Sequence, residues 1–142
     1  MKKSVLSLSL IAMIGLGALT TPSCKKYEEG PGISLMSKKA RLTGTWKKDR
    51  YVYSDNTEIS ANEDAEVEFK KDGTMILTST NSFFPFSISG TWEFSDNKES
   101  LTTKIEVFGS DETETAKIIL LKNKEFATED EDGDKTYYVS VD

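Results

Sequence analysis

From Thr43 to its end this chain alternates apolar and polar side chains, and that alternation constrains its fold more than any other feature. Period two marks a strand with one buried face, because successive side chains leave a strand on opposite sides. Ala65, Val67 and Phe69 alternate with Glu66, Glu68 and Lys70; Phe86, Ile88, Gly90, Trp92 and Phe94 alternate with Ser87, Ser89, Thr91, Glu93 and Ser95. Leu101, Thr103, Ile105 and Val107, and later Tyr137, Val139 and Val141, repeat the pattern. Turn signals punctuate it: Asp55-Asn56, Asp72-Gly73, Asp96-Asn97, Gly109-Ser110-Asp111, Lys122-Asn123 and Asp132-Gly133. The pattern predicts strands over 43–54, 64–70, 73–80, 86–95, 100–108, 113–121, 124–129 and 135–141.

Connections this short join antiparallel neighbours. A meander of eight strands has exposed edges unless it closes, and closure gives an all-β, eight-stranded antiparallel up-and-down barrel. A two-sheet sandwich is the competing solution. Residues 34–42 read as a short N-terminal helix, capped by Ser34, with Leu35, Met36, Ala40 and Leu42 as its apolar side. So brief a helix is expected to abut the main fold rather than stand alone.

The first residues carry a different signal. Lys2 and Lys3 precede a mostly apolar stretch from Leu6 to Leu19, too short for a stable bilayer span, and Thr21-Pro22-Ser23-Cys24 follows. That order is a secretory leader over residues 1–23. Small residues ending at the chain's one cysteine resemble a bacterial lipoprotein signal of the relaxed kind found in Bacteroidota. The resemblance implies acyl chains on Cys24 as the first mature residue, and so a lipid-anchored protein of the outer membrane. An exported chain with one cysteine has no internal disulfide, and two or more acyl chains hold a protein stably on a membrane. A secreted protein cut near the same place is the alternative. Residues 24–33 read as a tether, broken by Gly30-Pro31-Gly32. Lys25-Lys26-Tyr27-Glu28-Glu29 resembles signals that send such lipoproteins to the cell surface; an ordinary linker is the other reading.

Composition narrows the chemistry. The chain has 142 residues, a formal charge of −6 and no histidine. Losing Lys2 and Lys3 with the leader makes the mature domain, 34–142 with its tether, more acidic still. Acidity argues against a nucleic-acid partner. Without histidine or a second cysteine there is no ordinary zinc site and no Ser-His or Cys-His pair, so we expect no enzyme, metal or cofactor.

Leu42-Thr43-Gly44-Thr45-Trp46 is echoed by Ile88-Ser89-Gly90-Thr91-Trp92. In both, Gly and Trp share a face, so a large ring can pack where the backbone comes close. Gly44-Thr45-Trp46 on the first strand, after a short helix and before an eight-strand meander, resembles the lipocalins. The ordered set of Cys24 to Gly32, Ser37 to Trp46, Asp72-Gly73-Thr74 and Gly90-Thr91-Trp92 is similar to the small lipocalin-like lipoproteins of Bacteroidota. The resemblance implies a lipocalin-like barrel that binds a small apolar or amphipathic ligand. Three departures argue for a modest cavity or a filled barrel. The strands are short, no disulfide ties the ends, and no arginine near the C-terminus can pack on Trp46, Lys135 being the one basic residue there. A filled barrel would instead serve as an interaction module for an envelope protein or glycan.

The candidate ligand-binding residues are Trp46, Trp92, Phe83, Phe84 and Phe86. Phe83-Phe84-Pro85-Phe86 makes either a sticky mouth or a loop folded over one barrel end to close the core. Tyr51, Tyr53, Tyr137 and Tyr138 either line a pocket or pack half-buried with their hydroxyls at the rim. The acidic run Glu129 to Asp134 lacks the order of a calcium loop and reads as a hairpin turn at Asp132-Gly133. Asp49, Glu66, Glu68, Glu93 and Glu106 are expected to face solvent.

Overall fold

The computed structural model describes residues 36–142; the leader, Cys24, the tether and the start of the expected helix lie outside the described residues. One helix, α1 (Lys38–Leu42), precedes nine strands: β1 (Gly44–Val52), β2 (Glu58–Ser60), β3 (Ala65–Phe69), β4 (Thr74–Ser79), β5 (Ser87–Phe94), β6 (Ser100–Val107), β7 (Ser110–Leu121), β8 (Glu125–Glu129) and β9 (Lys135–Ser140). Each strand from β3 to β8 pairs antiparallel with the next, β3 pairs with β1, and β9 returns to β1 from Trp46↔Ser140 to Val52↔Lys135. The barrel is therefore closed and eight-stranded, as the alternation predicts, and the sandwich does not form. Closure satisfies the edge hydrogen bonds that an open meander would expose.

β2 is the unforeseen piece. It pairs with the far half of β1, Arg50↔Ser60 to Val52↔Glu58, on the edge that β3 occupies nearer the start, Gly44↔Phe69 to Lys47↔Glu66. β2 and β3 are thus one strand of the ring, interrupted at residues 61–64. All three β2 residues are exposed, so no alternation marks them.

A meander places alternate connections at opposite ends. α1 and the β3–β4, β5–β6 and β7–β8 turns share one end, and that end is plugged. α1 starts at Lys38, with the Ser37 hydroxyl rather than Ser34 as its cap, accepting from the Ala40 amide. Its last residue, Leu42, is fully buried, while Met36 is 45% exposed and outside the helix. The Arg41 guanidinium docks the helix by donating to the Leu121 carbonyl at 2.6 Å. The two Gly-Thr-Trp echoes do the same work here: Trp46 Nε1 donates to the Leu42 carbonyl at 2.8 Å, and Trp92 Nε1 to the Lys70 carbonyl at 2.9 Å. Each ring fills the core while its one polar atom is satisfied. Trp46 meets Phe126 edge-on at 4.8 Å, and Trp92 meets Phe69 at 5.6 Å.

The β6–β7 hairpin is tighter than expected. Val107 pairs with Ser110, and Phe108 (φ 51°) and Gly109 (φ 80°) make a two-residue turn with positive φ at both positions. This turn matches the twist of the strands it joins. β7 consequently begins at Ser110, three residues before the alternation suggests. The acidic run folds as the β8–β9 hairpin loop, with Asp130 accepting from the Asp132 and Asp134 amides at 3.0 and 2.9 Å and Gly133 at φ 83°.

Candidate ligand cavity

Above the plug the barrel is hollow. A cavity of about 430 Å³ lies between Trp46, Phe69, Met75 and Phe126 at its base and the loops of the opposite end. Small-molecule sites occupy about 300–1,000 Å³, so this is room for one modest ligand. Val67, Leu77, Phe86, Leu101, Ile105 and Ala116 continue the apolar wall. Apart from Phe86, which immediately precedes β5, these side chains come from β3, β4, β6 and β7, each in phase with the inward alternation of its strand.

Nearer the open end the wall becomes polar, with Lys48, Glu63, Thr103, Glu112, Glu114, Thr128 and Tyr138. Lys48 follows Trp46 by two positions and so faces inward. The interruption between β2 and β3 carries Glu63 to it, and Lys48 Nζ lies 3.0 Å from Glu63 Oε2. The Tyr51 hydroxyl donates to Glu63 Oε1, and the Lys48 ammonium lies 5.6 Å over the Tyr51 ring. The Ala61 amide, hydrogen-bonded to the Asp49 carbonyl at 2.8 Å, pins the start of this interruption.

The electrostatics follow from that geometry. Partial burial works against the Lys48 charge, but Glu63, Tyr138 and Tyr51 outweigh it, and its pKa stands above the ordinary lysine value. Glu63 is held below the usual carboxylate range: burial pushes it up, and the bonds from Tyr51 and Lys48 more than reverse that. Tyr138 stacks flat on Phe126 at 4.1 Å. Burial pushes its phenol up to about 12, with Lys48 drawing it down and Glu114 adding to the rise.

The five candidate residues separate into three groups. Trp46 and Phe86 line the cavity. Trp92 does not reach it; it is 5% exposed and packed in the plug between Phe69 and Phe94. Phe83 and Phe84 are 88% and 76% exposed, so their loop does not fold over the barrel to close the core. An Asx turn holds this loop outward, the Asn81 carboxamide accepting from the Phe83 amide at 2.8 Å.

Among the tyrosines, Tyr51 and Tyr138 serve the mouth. Tyr53 is exposed, and Tyr137 lies on the opposite face of β9 beneath the Arg50 guanidinium at 4.0 Å. Asp49, Glu93 and Glu106 face solvent as expected, whereas Glu66 is half-buried at the cavity wall.

The residues that sequence reasoning missed are Lys48, Glu63, Glu112 and Glu114. Three of the four had a signal: Lys48 is in phase with Trp46, and Glu112 and Glu114 with Ala116 and Ile118. They were overlooked because a charged side chain on an alternating strand is ordinarily assigned to the solvent face. Glu63 had no signal, since a broken strand places it.

No family model matches the chain, and no curated protein does. Among solved structures, a lipocalin-like protein from Bacteroides uniformis superposes with a TM-score of 0.59 at 18% identity, over 70% of this chain and 98% of that one. The closed eight-stranded meander, its helical plug and this likeness together show that the chain has a lipocalin-like β-barrel fold.

Proposed function

We propose that this protein binds a small amphiphilic molecule inside its barrel, the apolar part against Trp46, Phe86 and Phe126 and the polar head at the open end. The observation that carries the reading is the graded cavity, apolar at its base and polar at Lys48, Glu63 and Tyr138. A ligand with one apolar and one polar end satisfies both halves without leaving either desolvated. Native mass spectrometry of the protein exposed to an envelope extract tests it. A reproducible added mass, lost when Leu77→Trp fills the cavity, is expected; a bare mass throughout would overturn it.

The same proposal places the barrel at the outer membrane, held by acyl chains on Cys24 and exposed at the cell surface. The support is the leader-like start, the single cysteine and the Lys-then-acidic segment after it. An intact mass of membrane-extracted protein that lacks acyl groups would overturn the anchor, and full protection from protease added to whole cells would overturn surface exposure.

The exposed rings of Phe83, Phe84 and Phe108 favour a second reading, in which the open end docks an envelope protein or glycan. Cross-linking in cells that yields the same partner with and without Phe83→Ser and Phe84→Ser would count against it.

A further inference from the structure

The mouth of the cavity is unbalanced in charge. Among the described residues on its wall Lys48 is the one cation, and it is already engaged by Glu63 at 3.0 Å. Three more carboxylates, Glu66, Glu112 and Glu114, belong to the same wall, the last two on β7. Glu112 and Glu114 lie in register with Ile105 and Thr103 across the β6–β7 ladder, and all four residues belong to the cavity wall. Neither carboxylate is in an ion pair among the described residues. The nearby Lys104–Asp111 pair, at 2.7 Å, belongs to the alternate positions of these strands and faces outward. Glu114 also adds to the rise in the Tyr138 pKa, which burial dominates.

An alkyl carboxylate entering tail-first would therefore bring its head beside Glu63, Glu112 and Glu114. Its only counter-ion would be Lys48, and taking Lys48 would strip Glu63 of its partner. An alkylammonium head meets the opposite situation, with two unpaired acceptors and no need to break the Lys48–Glu63 pair. Like charges brought together at the mouth repel and opposite charges attract, and because Glu112 and Glu114 are exposed to solvent the preference depends on salt.

We infer that the cavity selects amphiphiles carrying a protonated amine head group over fatty carboxylates. The inference rests on the cavity-binding reading above and deepens it by naming the head group. Glu112 and Glu114 are the specificity-determining residues, and the Lys48–Glu63 pair keeps the one wall cation unavailable to an anionic head.

The test is calorimetric titration of the full-length protein with decylamine, decanol and decanoate at neutral pH and low salt, repeated with E112Q/E114Q. Decylamine is expected to bind about tenfold or more tightly than decanoate. That ratio should fall towards one in the double variant and shrink in high salt, with decanol affinity changing far less than decylamine affinity. Decanol binding without a preference for decylamine over decanoate would overturn the inference and leave the cavity reading standing. Failure of all three to bind would overturn both. A preference that survives unchanged in E112Q/E114Q would overturn the assignment to these two residues.

Discussion

A methyl group placed on Gly90 would stand 2.3 Å from the carbonyl oxygen of Lys104 on the neighbouring strand, and 2.7 Å from Cγ2 of Ile105. The first contact is with backbone, which cannot rotate away. Gly90 is thus the point where β5 and β6 approach too closely for any side chain, two residues before Trp92 turns into the plug. Gly90→Ala is expected to destabilise the protein by about 2–3 kcal/mol, as overpacking does. Gly109→Ala meets nothing within 4 Å and should cost only about 1 kcal/mol, the strain of its positive φ. Urea denaturation of the two variants side by side checks the contrast, and equal costs would refute it.

Trp46→Phe keeps a ring in the plug but removes the indole N–H that satisfies the Leu42 carbonyl. The loss of volume and of a buried hydrogen bond should together cost about 2–4 kcal/mol. Because Leu42 ends α1, the variant should also loosen the helix, seen as faster amide exchange at Arg41 and Thr43 than in the parent.

The Phe83→Ser, Phe84→Ser double variant should leave the unfolding free energy in urea titration within about 0.5 kcal/mol of the parent, since both rings are already in solvent. It should also leave any cavity ligand bound with unchanged affinity. A large loss of stability would mean that the loop covers the core after all.

The mouth makes stability depend on pH at both extremes. Glu63 has a folded pKa below its unfolded value, so its contribution is present above the unfolded value and is lost as pH falls through the folded one. Glu63→Gln should flatten the acid limb, by no more than about 0.5 kcal/mol, because both partners in the pair are more than a third exposed. Tyr138 and Lys48 have folded values above their unfolded ones. Their contributions are complete below the unfolded values and are lost as pH rises through the folded ones, which for Tyr138 is about 12. Tyr138→Phe should therefore flatten the alkaline limb between about pH 10 and 12. Urea midpoints measured across the pH range check both signs.

Much of the architecture is legible in the sequence. Alternation and turn residues locate eight strands because a half-buried strand must present apolar and polar faces in turn, and short connections leave only antiparallel pairing. The paired Gly-Thr-Trp motifs likewise announce two rings packed in the plug, though only the second, at Gly90, sits where backbone comes close. What the tertiary structure alone decided is which polar residues look inward. Barrel closure sets the face of every strand at once, so Lys48, Glu112 and Glu114 follow the phase of Trp46 and Ala116 into the mouth despite their charge. Glu63 reaches the same mouth because β2 and β3 share one edge of β1 with a break between them, a relationship between strands that no local pattern records. Phe83 and Phe84 show the converse: their apolar character suggests burial, but an Asx turn at Asn81 and the length of the loop leave them in solvent. Local sequence determines period and turn; the hollow, its depth and its charge depend on contacts between residues far apart in the chain, and only closure of the ring brings those together.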